Sequence, residues 1–158
     1  MLEDWILKKK EVEKSKSNLN GADLSDAKLM RAELNNADLA DADLNAAYLI
    51  RANLAEADLR NADLTRAVIS EARLNGADLR GANLTDAFLN EADLRGADLE
   101  ETELLDADLR GADLREAKNL TCEQVEEARI DKNTKFPDYL EVIWSDATSF
   151  ECRTKSNK

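Results

Sequence analysis

Across residues 17–117 a leucine stands at every fifth position, from Leu19 through Leu24 and Leu29 to Leu114, and Ile69 is the one departure. Two residues before each leucine sits a small residue, alanine except at Ser17 and Thr102. The residue between the two is most often Asp or Asn, so the unit reads A-(D/N)-L-x-x, twenty times over. On an α-helix five residues advance about 500°, and the leucines would spiral around the whole surface. In a straight strand side chains alternate, and an odd spacing would send successive leucines to opposite faces. A bent strand keeps them together. Ala and Leu point inward, the middle residue points outward, and x-x turns a corner that restores the parity. Each unit becomes one side of a polygon, and successive coils stack at about 4.8 Å through parallel backbone hydrogen bonds. The pattern predicts a solenoid in which each coil rests only on its neighbours.

The A-(D/N)-L-x-x array resembles the pentapeptide-repeat protein family over residues 17–117. The resemblance implies an all-β solenoid, a right-handed quadrilateral parallel β-helix with four units to the coil. Twenty units then make about five coils. After the repeat, the run N-L-T-C-E-Q-V…I-D-K-N-T-K-F-P is similar to tails found in some bacterial members, notably cyanobacterial ones.

The flanks predict caps. Residues 1–16 read as a short N-terminal capping helix whose Leu2, Trp5 and Ile6 form a lid on the open apolar end of the first coil. Behind the repeat, residues 118–152 read as a helical cap. Thr121 and Gln124 form a capping box, and Leu120 and Val125 a hydrophobic staple, predicting a helix over residues 122–129. Residues 130–137 look polar and turn-like. Residues 138–144 fit a helix behind Pro137 or a strand of β-branched and aromatic residues; the balance tips to a short helix. Residues 153–158 are expected to be a disordered tail. Cys122 and Cys152 could bridge the cap. Without an export signal, free thiols are the default expectation.

Composition narrows the function. Aromatics are only 4% of the chain, so the core is built of Leu and Ala. The net charge is −12, and residues 17–117 carry all of it, with 22 acids against 10 bases. An acidic rod lacks the clustered Lys and Arg of direct nucleic-acid binding. No stretch approaches the ~20 apolar residues of a membrane span. The N-terminus lacks the apolar region of a signal peptide, which makes a cytoplasmic location the default expectation and leaves an exported mature form open. With no histidine, no nucleophile beside a base and no phosphate-cradling loop, the chain reads as non-catalytic, with no metal and no cofactor.

If four units close a coil, residues twenty apart stack in columns. One column carries Asp38, Asp58, Asp78 and Asp98 below Asn18, and the next carries Asp23, Asp43 and Asp63 followed by Asn83 and Glu103. Arginines two residues on pair with Asp58, Asp78, Asp93, Asp108 and Asp113 in this reading, and corner amides supply further hydrogen bonds. The third column reads Lys28, Tyr48, Val68, Phe88 and Asp108, and Met30 and Ile50 lie beside it. These apolar residues are either covered by the C-terminal segment, through Trp144 and Phe150, or form an interface with a protein partner or a second copy. The chain therefore reads as a structural, interaction protein: a rigid acidic rod that presents surfaces to a partner. The alternative comes from the resemblance, because some pentapeptide-repeat proteins mimic duplex DNA and bind DNA gyrase.

Overall fold

The computed structural model describes residues 2–155, without the side chains of Leu2 and Glu3. Helix α1 spans Leu2–Lys14, and a 3-10 turn follows at Lys16–Asn18. The repeat then runs without interruption until helix α2, Cys122–Glu127. An antiparallel hairpin of β1, Leu140–Trp144, and β2, Phe150–Thr154, ends the described chain.

Parallel bridges join residues twenty apart in four columns: Asp38–Asp58–Asp78–Asp98–Lys118, Asp23–Asp43–Asp63–Asn83–Glu103, Lys28–Tyr48–Val68–Phe88–Asp108 and Glu33–Asn53–Arg73–Asp93–Asp113. Four units thus close one turn. From Leu24 to Leu114 the leucine positions, with Ile69, are buried along the axis beside the alanines. Thr102, in an alanine position, is also buried, and its hydroxyl donates to the Leu79 carbonyl at 2.8 Å. Ser17 departs from the repeat. The 3-10 turn leaves it exposed, and the inward series begins at Leu19.

Units inside the rod with Asp or Asn at the middle position, such as those at Asp63 and Asn83, use all five of their amides. In the unit at Ala22, the Leu24 N–H donates to Asp43 O at 2.7 Å and the Asp26 N–H to Asn45 O at 2.9 Å, both one coil ahead. The Asp43 N–H donates back to Ala22 O at 2.9 Å. The corner closes on itself, with the Ala27 N–H donating to Leu24 O at 3.1 Å. One amide remains, that of Ser25, and it donates to the Asp23 carboxylate at 3.1 Å. This accounts for the preference for Asp or Asn at the middle position: a short side-chain acceptor satisfies the one amide the ladder leaves over. The second corner residue has positive φ throughout the repeat, the left-handed conformation a tight turn demands at its third residue. All five glycines of the chain stand at such corners.

The N-terminal lid differs from the expected one. Ile6 is 40% exposed and Trp5 only half-buried, whereas Val12 is buried with Leu19. The Leu2 side chain lies outside the described residues. Because α1 meets the coil by its last turn, Val12 is the residue that reaches the apolar end.

The C-terminal cap is not all helical. Helix α2 stops at Glu127, with its capping box formed as expected. Beyond it the chain returns to the ladder, since Arg129 bridges Asp108 and Lys135 bridges Asp113. Ala128-Arg129-Ile130 and Thr134-Lys135-Phe136 are worn copies of the unit, with Ala128 and Thr134 buried. Residues 130–137 are therefore part of a stretched coil rather than a simple turn. Residues 138–144 contain a strand rather than a helix, because β2 pairs with β1 from Leu140↔Thr154 to Trp144↔Phe150. The strand propensity of Val142, Ile143 and Trp144 prevails once a partner strand exists. At the hairpin turn the Asp146 carboxylate accepts the amides of Thr148 and Ser149, each at 2.7 Å. Arg153 and Thr154 lie in β2, so the expected tail is ordered there; residues 156–158 lie outside the described residues. Cys122 and Cys152 are disulfide-bonded rather than free, with Cα atoms 5.4 Å apart, and tie α2 to β2.

Candidate interaction face

The acidic columns lie on the outside and are largely occupied from within. Arg60 donates Nε to Asp58 Oδ1 at 2.8 Å and Nη2 to Oδ2 at 2.6 Å. Arg80 on Asp78, Arg95 on Asp93, Arg110 on Asp108 and Arg115 on Asp113 repeat this fork. The same aspartates accept the arginine's own backbone amide at the corner. Hydrogen bonds from the guanidinium, then from the amide, hold these five carboxyls below the ordinary aspartate range against an opposing effect of burial. Repulsion between carboxylates one coil apart is thereby offset locally. Asp38, Asp43, Asp63 and Asp98 have no such arginine, but each accepts the amide two residues on.

The column Lys28–Tyr48–Val68–Phe88–Asp108 stands apart. The bridges place Tyr48, Val68 and Phe88 one coil apart on one outer face. Tyr48 is 43% and Phe88 48% exposed; Val68, Met30 and Ile50 are half-buried. Trp144 and Phe150 do not cover these rings. They pack on each other with centroids 5.3 Å apart. An apolar middle residue also cannot cap its corner. Among the described residues no side chain accepts the amides of Ile50, Ser70 and Asn90, whereas the Asp and Asn positions satisfy theirs.

Charges around this face are largely paired within the chain: Arg51 with Glu71, Arg110 with Asp108 and Arg129 with Asp106. Beside Phe88 a groove of about 940 Å³ runs between Glu91, Asp108, Asp131 and Lys132. The sequence shows these columns once the twenty-residue turn is assumed, but gives no sign of the groove, which the stretched coil after α2 creates. Among the described residues no cluster of His, Cys, Asp and Glu could hold a metal ion, and no helix is long and apolar enough to cross a membrane.

Residues 15–45, 42–81 and 77–116 match the family model for pentapeptide repeats, in eight copies. No curated protein matches the chain. Among solved structures, a pentapeptide repeat protein from the Arabidopsis thaliana thylakoid lumen is 35% identical over 61% of this chain and 68% of its own, with a TM-score of 0.39. Another, from Nostoc PCC 7120, is 32% identical over 79% of this chain and 94% of its own, with a TM-score of 0.37. QnrB1, a plasmid-mediated fluoroquinolone resistance protein, is 15% identical over 78% of this chain and 88% of its own, with a TM-score of 0.45.

Proposed function

Since this chain belongs to the pentapeptide-repeat family, whose members fold as right-handed quadrilateral β-helices, we propose that it is a non-catalytic rod of about five coils presenting one outer face to a protein partner. The rod is residues 17–117, with residues 1–16 and 118–154 as its caps. The observation that carries the reading is the column Tyr48–Val68–Phe88, with two aromatic rings half in solvent where the other faces carry mostly charged or amide side chains. Exposed aromatics on a rigid surface are what protein interfaces use as anchors. The column also forgoes three corner hydrogen bonds that an Asp or Asn would make, so its apolar character is not the best solution for the fold alone.

A photo-cross-linker at position 68, in an extract of the source cells, tests this. An adduct of one discrete mass is expected, together with none from position 78 on the Asp column. Equal labelling from both positions, or no adduct, would sink the reading.

The DNA-mimic alternative has less support. Its acidic surface would need open carboxylates in long columns, yet Asp58 and Asp78 are held by Arg60 and Arg80. The second acidic column includes Asn83, and the first ends on Lys118. No effect on gyrase supercoiling is expected at micromolar protein. The Cys122–Cys152 bond suits an oxidising compartment better than the cytoplasm.

A further inference from the structure

The C-terminal hairpin is held to the rod differently from everything before it. Among the described residues, no hydrogen bond or ion pair joins residues 140–155 to any residue before Pro137. The hairpin's backbone bonds run between its own strands and back to Pro137 and Tyr139. What seats it is one side of the two strands. Leu140, Val142, Phe150 and Cys152 pack against the core, and of these only Leu140 is buried outright.

The other end of the disulfide is anchored on its own account. Gln124 Nε2 donates to Leu99 O at 2.9 Å and to Thr102 O at 2.8 Å. The Asp106 N–H donates to Glu127 O at 2.9 Å, and Val125 is buried. Helix α2 therefore belongs to the coil stack whether or not Cys122 is bonded. The chain leading into the hairpin is fixed as well. Lys135 is in the ladder, and the Tyr139 hydroxyl donates to Ala117 O at 3.0 Å and accepts the Leu120 amide at 2.9 Å. The Cys122–Cys152 bond thus joins a fixed helix to a hairpin that has no polar contact with the rod.

We infer that this bond is a redox latch: its reduction by a dithiol frees β1 and β2 from the end of the rod, while α2 and the coils stay folded. Both cysteines are half-buried rather than enclosed. One thiolate of the dithiol attacks a sulfur of the bridge, and the other protein sulfur leaves as a thiolate. The second thiol of the reductant then displaces the first protein sulfur. Two electrons and two protons pass to the protein, and the reductant ends as its own disulfide. Opening a closed loop of 30 residues shifts the docking equilibrium by about a hundredfold to a thousandfold in the chain-entropy model. An isolated two-stranded hairpin is marginal in water, so once undocked it also loses its own order. Leu140, Val142 and Phe150 then come into solvent together with the side of α2 that β2 covers. In an oxidising compartment the latch stays shut until a dithiol carrier reaches it.

The test is made on the whole chain, oxidised and after dithiothreitol, with alkylation under native conditions to count free thiols. Two thiols should appear. Amide exchange across β1 and β2 should quicken about a hundredfold or more, with α2 and the coils unchanged. Chymotrypsin should cut the reduced chain after Trp144 or Phe150 and leave the oxidised chain whole. Reoxidation should restore both properties. Cys122→Ser with Cys152→Ser should behave as the reduced chain does and ignore the reductant. Hairpin amides that keep their slow exchange when both thiols are alkylated would overturn the inference, since the bond would then be a staple on a hairpin seated without it. So would α2 or last-coil amides that quicken in step with the hairpin, or a bridge that dithiothreitol leaves intact in the folded protein.

Discussion

The Glu13 carboxylate accepts the backbone N–H of Glu33 at 2.9 Å. One coil on, the equivalent amide of Asn53 donates to the Ala32 carbonyl. A side chain of α1 thus stands in for the main chain of a coil that does not exist. Lys9 acts in the opposite sense, with Nζ donating to Arg31 O at 3.1 Å. At the far end Gln124 Nε2 donates to the carbonyls of Leu99 and Thr102, and the Tyr139 hydroxyl donates to Ala117 O. Glu13→Ala should cost about 1 kcal/mol and speed amide exchange at Glu33, while Glu13→Gln, which keeps an acceptor, should do less. Hydrogen exchange of the Glu33 amide checks both.

Leu59 is fully buried midway along the axis. Leu59→Ala opens a cavity that neighbouring coils cannot fill, because their backbones are held in the ladder. A loss of about 3–5 kcal/mol is expected in denaturant unfolding. Ile69→Leu only restores the repeat's own residue, and should change stability by less than about 1.5 kcal/mol.

Acid should weaken the rod through Asp58, Asp78, Asp93, Asp108 and Asp113. Their carboxyls are held below the ordinary range by the arginine forks. A carboxyl whose pKa falls on folding stabilises the native state fully above its unfolded value, near 4, and loses that contribution as pH drops through the lower folded value. Melting temperature should be flat on this account down to about pH 4 and then fall. Asparagine at all five positions keeps the corner acceptor, as Asn53 and Asn83 already do for Ala55 and Thr85. That variant should show a shallower acid limb, which thermal melts from pH 7 to pH 2 would reveal.

Cys122 and Cys152 are 30 residues apart in sequence. Closing that loop in the unfolded chain is worth about 3–4 kcal/mol in the chain-entropy model. Cys122→Ser with Cys152→Ser should lower stability toward that amount if cap and rod unfold together. If the hairpin comes away first, fast exchange should be confined to β1 and β2. Exchange mass spectrometry with and without reductant separates the two outcomes.

Ala46 holds φ of +54° at its corner with no side-chain hydrogen bond to offset the strain. Ala46→Gly relieves that strain and should stabilise the rod by about 0.5–1 kcal/mol after the entropy that glycine loses on folding. A thermal melt is sufficient to test it.

What the sequence reveals here follows from where information repeats. The axis, the columns and the five Asp–Arg forks are legible because each rests on a spacing that recurs or on residues two apart. The apolar column is legible for the same reason, as an interruption of a regular list. The ends are not repeated, and they mislead. Val12 carries no pattern that sets it above Trp5 or Ile6, and only the approach angle of α1 selects it. Residues 138–144 weigh almost evenly between helix and strand until β2 arrives from beyond a turn. The stretched coil leaves a faint trace in Ala128-Arg129-Ile130 and Thr134-Lys135-Phe136, two small-x-apolar triplets six residues apart instead of five.

The four-unit turn makes the surface sensitive to something the core ignores. Removing one whole unit, residues 56–60 for instance, leaves every remaining Leu and Ala on the axis, and every amide still finds a partner of the same kind. Yet everything after the deletion rotates by a quarter turn relative to everything before it. Val68 and Phe88 would move to the side next to that of Tyr48, and the apolar column would be cut in two. Loss of four consecutive units would shorten the rod and leave each column aligned. Such a rod therefore changes length freely only in steps of twenty residues if its faces carry meaning, and in steps of five if they do not.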